Sequence, residues 1–79
     1  MTILQICTAC WTLGVIPDRI NMSEDNSLCF YFFKGEDYAM IEWYSTGEAV
    51  GITSTKKKAW DLGEDIEAEI LNIKRFMIS

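Results

Sequence analysis

Residues 28–53 read LCFYFFKGEDYAMIEWYSTGEAVGIT, and this stretch decides the fold. Leu28 to Phe33 is a run of β-formers with aromatics on both alternating faces. Lys34-Gly35-Glu36-Asp37 is a turn, and Tyr38 to Tyr44 is a second strand. Ser45-Thr46-Gly47 turns it into a third, Glu48 to Thr53, and a fourth, weaker strand is expected from Lys56 to Trp60. Loops this short impose antiparallel pairing, because parallel strands need a long crossover between them. The middle of the chain is therefore an antiparallel meander of three or four strands.

A helix is expected on each side of it. Thr2 can cap a first helix, in which Ile3, Ile6 or Cys7, Cys10 and Leu13 recur at three- and four-residue spacing. Gly14 is the left-handed residue that ends it, and Pro17 prevents continuation. The helix reads as buried, and Asp18 to Asn26 reads as a polar connection. After Asp61-Leu62-Gly63, Ile66, Ile70, Ile73 and Met77 form one apolar stripe widened by Phe76, with Asp65 as the cap. Glu64, Asp65, Glu67 and Glu69 crowd the start of this helix, and Lys74 and Arg75 sit near its end, as the helix dipole favours. The expected fold is α+β: N-terminal helix, meander, C-terminal helix, with both helices on one face of the sheet.

Seventy-nine residues allow one domain, spanning 1–79. The 49% hydrophobic and 24% charged content is that of a folded chain. Twelve acidic residues against seven basic ones leave a net charge of −5, which disfavours a nucleic-acid binder. With no histidine, imidazole-based triads and metal sites are excluded. Three cysteines are an odd number without a preceding secretory signal, so a reducing cytoplasm is expected. The apolar stretch Ile3 to Ile16 lacks a basic flank and is shorter than the roughly 18 residues that suggest a membrane span.

Four groupings could carry chemistry. Cys7-Thr8-Ala9-Cys10 is a CxxC motif, but redox pairs follow a strand and sit at a helix start, whereas six helix-like residues precede this one. It reads as small core residues on a helix. A zinc site would need Cys29 and a borrowed fourth ligand, so no metal and no cofactor are expected. Glu42 lies mid-strand between Ile41 and Trp43, where Tyr38, Met40 and Tyr44 share its face. Apolar surroundings there could raise its pKa and suit it to acid or base work, or to lining a small-ligand pocket with Tyr38, Trp43 and Tyr44. A solvent-facing strand residue is the plainer reading, because no nucleophile–base pair accompanies it.

Lys56-Lys57-Lys58 beside Trp60 is the one basic cluster, and the remainder of the molecule carries a net −8 once these three charges are taken from the total of −5. Edge-strand lysines guard against unwanted pairing, and edge protection or plain solvation is the reading adopted. The last grouping is acidic: Asp61, Glu64, Asp65, Glu67 and Glu69 fall within nine residues, a surface able to imitate a phosphate backbone.

Both faces of the meander are apolar. Leu28, Phe30 and Phe32 share a face with Ala39, Ile41 and Trp43, while Cys29, Tyr31 and Phe33 share the other with Tyr38, Met40 and Tyr44. Two helices cover one face, so the second would expose more aromatic surface than a monomer ordinarily carries. The resulting expectation is a non-catalytic protein-interaction module, an inhibitor or neutraliser of the antitoxin, immunity or phage anti-defence type. Its expected contact residues are Tyr31, Phe33, Tyr38, Met40 and Tyr44 together with Asp61, Glu64, Asp65, Glu67 and Glu69. A homodimer and a second protein, a nucleic-acid enzyme among the candidates, are the expected partners, with no direct nucleic-acid or membrane contact.

Overall fold

The computed structural model describes residues 2–23, 25–56 and 59–78. Seven elements follow one another: α1 (Ile3–Leu13), β1 (Arg19–Met22), β2 (Leu28–Lys34), β3 (Asp37–Trp43), β4 (Ala49–Thr53), β5 (Trp60–Asp61) and α2 (Ile66–Ile78). The strands form one antiparallel sheet in sequential order, β1 to β5. The α+β arrangement of helix, meander and helix is as expected, with five strands in place of three or four.

Local chemistry explains where the helices start and stop. Thr2 and Gln5 form a reciprocal capping box, each side chain bonding the other's backbone N–H. Gly14 ends α1 in the left-handed region at φ 70°, and its N–H reaches back to the carbonyls of Cys10 and Trp11. At α2 the Asp65 carboxylate accepts the Ala68 N–H at 3.2 Å, which makes it the cap.

The strand register sorts the side chains cleanly. Phe30 faces Ile41 and Phe32 faces Ala39, and across the next rung Ile41 faces Gly51 and Ala39 faces Thr53. All are buried, and they meet Ile6, Ala9 and Cys10 of α1 and Ile70 and Ile73 of α2. The core is thus one helix layer on one face of one sheet. Each fully buried Phe or Ile contributes about 1.5–3 kcal/mol of transfer free energy, so this face dominates folding.

Three expectations need correction. The connection read from Asp18 to Asn26 contains β1, which alternates as Arg-Ile-Asn-Met and pairs with β2 from Arg19 opposite Tyr31 to Met22 opposite Leu28. None of its residues is buried, so backbone hydrogen bonding holds it, aided by Asp18, whose Oδ2 accepts the Phe33 N–H at 2.7 Å. The last strand lies at Trp60–Asp61 rather than from Lys56: Lys56 is in a turn, its N–H bonding Thr53 Oγ1. Edge protection therefore does not come from Lys56, and Lys57 and Lys58 lie outside the described residues. Finally, α1 is buried on one side only. Leu4 and Trp11 are 74% and 80% exposed, and Cys7 lies with them on the outer side.

Candidate functional site: the uncovered face of the sheet

The face away from the helices carries Tyr31, Phe33, Tyr38, Met40, Val50 and Ile52. Tyr31 lies opposite Met40 and Met40 opposite Ile52, so one apolar row crosses three strands. Phe33 faces Tyr38 in the next row, and the Tyr31 and Phe33 rings stack at 6.0 Å with planes 21° apart. Phe33 is 46% and Tyr38 37% exposed. Strand β4 makes the asymmetry plain: Ala49, Gly51 and Thr53 point to the helices, while the larger Val50 and Ile52 point outward. Their part in this face follows from pairing with β3, a register that strand alternation alone leaves open.

One end of the face is polar. Glu42 accepts the Ser27 hydroxyl at 2.7 Å on one carboxylate oxygen and the Tyr44 hydroxyl at 2.9 Å on the other. Ser27 is fully buried and also bonds the Ser23 hydroxyl. Burial pushes the Cys29 thiol pKa up, and the charge and hydrogen bond of Glu42 add to the shift. The Tyr44 phenol is likewise raised, first by donating to Glu42. These contacts tie Glu42 into a satisfied network. Tyr44 joins it, whereas Trp43 points to the helix side and Tyr38 lies four residues away, about 13 Å along the strand. The residues suggested for a pocket around Glu42 are not brought together.

The three cysteines are equally dispersed. Cys10 is in the helix-side core, Cys7 is on the outer side of α1, and Cys29 is on the opposite face of the sheet. Burial and, secondarily, Cys7 raise the Cys10 thiol to a pKa of about 11, so it is a protonated packing residue at neutral pH. Among the described residues, no three His, Cys, Asp or Glu side chains gather as a metal would require.

The ten contact residues expected from the sequence divide into two surfaces. Tyr31, Phe33, Tyr38, Met40 and Tyr44 belong to the uncovered face, and Asp61, opposite Val50 on β5, lies at its edge. Glu64, Asp65, Glu67 and Glu69 belong to the start of α2. Two of these have structural work: Asp65 caps the helix, and Glu69 accepts the Gly63 N–H at 3.0 Å. Among the described residues no helix is long and apolar enough to cross a membrane.

The fold is a two-layer α+β sandwich with one open side. No protein-family model matches the chain, and neither a curated protein nor a solved structure gives a significant match.

Proposed function

We propose that this chain is a small, acidic, non-catalytic protein-interaction module that acts by covering protein surface. In that reading it is an inhibitor or neutraliser of the antitoxin, immunity or phage anti-defence type. It works in the cytoplasm, where its three unpaired thiols are stable. A second copy of the chain is the first occupant of the uncovered face, and the outward carboxylates Glu64 and Glu67 on the helix layer meet a basic target.

The observation that carries the reading is the direction of the large side chains. Tyr31, Phe33, Tyr38, Met40, Val50 and Ile52 all turn away from the only helix layer described. The molecule extends 32 × 26 × 20 Å, large enough to offer a face of the size that each partner commits in a standard interface, about 800 Å². The ends of that face are complementary: Arg19 borders it on β1 and Asp61 on β5. A twofold axis parallel to the strands would set each edge over the opposite edge of the partner, bringing unlike charges together.

The test is the double variant Phe33→Lys/Met40→Lys, compared with the parent by circular dichroism, light scattering and Nile red fluorescence. The expected result is an unchanged fold with a lost dimer. Identical association and dye binding in both proteins would overturn the proposal.

A further inference from the structure

A cleft of about 560 Å³ opens on the helix side, between α2 and the β4–β5 edge, within the range of small-ligand sites. Its lining includes the Trp60 indole, whose six-membered ring packs on Gly51; a methyl group at position 51 would collide with three of the ring carbons. The glycine is what lets the indole lie against the sheet. Phe76 of α2 supplies a second aromatic wall, held from behind by Lys34, whose Nζ bonds the Phe76 carbonyl at 3.0 Å. Lys56 and Arg75 add positive charge to the lining, and Asn72 adds an amide. The Lys56 turn is fixed by the bond from its N–H to Thr53 Oγ1, and its ammonium stands 6.0 Å from the Trp60 ring centre.

Two of the chain's seven basic residues therefore line one aromatic-walled cleft in a protein of net charge −5. The carboxylate in the lining, Glu69, accepts the Gly63 N–H, which holds it toward the helix start. Stacking on an indole face is sequence-tolerant and favourable for any flat ring, and paired cations with an amide suit a phosphate or carboxylate.

We infer that this cleft binds a small aromatic anion, its flat ring on Trp60 and its phosphate or carboxylate between Lys56 and Arg75. The site lies on the opposite side of the sheet from the face assigned to a second copy of the chain, so that assignment and this one stand or fall separately.

The test is a heteronuclear NMR titration with 1-naphthyl phosphate and with adenosine monophosphate, using 1-naphthol, adenosine and inorganic phosphate as half-ligands. At least one of the two aromatic phosphates should shift the Trp60 indole N–H and the amides of Lys56, Asn72 and Phe76 in a saturable way. It should bind more tightly than either of its halves. The variant Lys56→Gln/Arg75→Gln changes two exposed side chains and leaves the core intact, so it should keep its fold. It should bind the aromatic phosphate at least about tenfold more weakly, the loss expected for charge-assisted contacts. No saturable shift with either aromatic phosphate, affinity no better than the halves, or affinity unchanged in the variant would overturn the assignment.

Discussion

On the helix side of the sheet, Phe30, Phe32, Ala39 and Ile41 are removed from water; on the other side their chain neighbours Tyr31, Phe33, Tyr38 and Met40 keep contact with it. The two sets alternate residue by residue and are similarly apolar, so hydrophobicity alone does not choose which becomes the core. On β4 the small Ala49 and Gly51 face the helix side, with Gly51 packed under the Trp60 ring, while Val50 and Ile52 project outward. A face can thus be rich in large apolar groups and still be the one left open, because two helices suffice to cover only one side.

The strongest way to break this comparison is to truncate one aromatic on each face. Phe30→Ala should cost about 3–5 kcal/mol in urea unfolding, the range for an emptied core site. Phe33→Ala, measured in the monomeric state, should cost under about 1 kcal/mol. Equal losses would mean that both faces are core.

The thiols sharpen the same contrast through pH. Burial raises the Cys10 pKa from 9.0 to about 11, so between those values the unfolded chain has released a proton that the native chain retains. Stability from this group is whole below pH 9 and falls as pH rises through the window, by as much as about 3 kcal/mol. Cys10→Ala should lessen that decline most in alkaline urea melts, and Cys7→Ala, which removes the lesser cause of the Cys10 shift, should lessen it only slightly. Identical slopes in all three proteins would count against Cys10 as a core group.

Smaller effects are expected where single contacts are altered. Gly51→Ala sets a methyl group against the Trp60 ring and should cost about 1–3 kcal/mol, largely recovered by adding Trp60→Ala. No recovery in the double variant would show that the two do not touch. Asp65→Ala should cost about 1 kcal/mol and fray the start of α2 in amide exchange.

Much of this frame is legible from residue type and spacing. The caps at Thr2 and Asp65, the stop at Gly14 and the faces of β2 and β3 rest on local chemistry that acts alike in any setting. β1 is harder to see because its alternation is drowned by the polar residues around it and its apolar members Ile20 and Met22 stay exposed. The outer side of α1 is missed for a different reason: Leu4, Cys7 and Trp11 are as apolar as the buried Ile6 and Cys10, so periodicity marks no dry side. The cleft at Trp60 depends on an indole crossing from β5 to Gly51 on β4 and on α2 closing over it, contacts between segments that no local pattern records.

The most direct test of the open face is the solution mass of the unmodified protein by size-exclusion chromatography with light scattering, over a dilution series with Nile red present. A self-covered face gives a species near twice 9.1 kDa that yields a dye-binding monomer on dilution. A monomer at every concentration that leaves the dye dark would contradict it, because the outer aromatics would then need no partner.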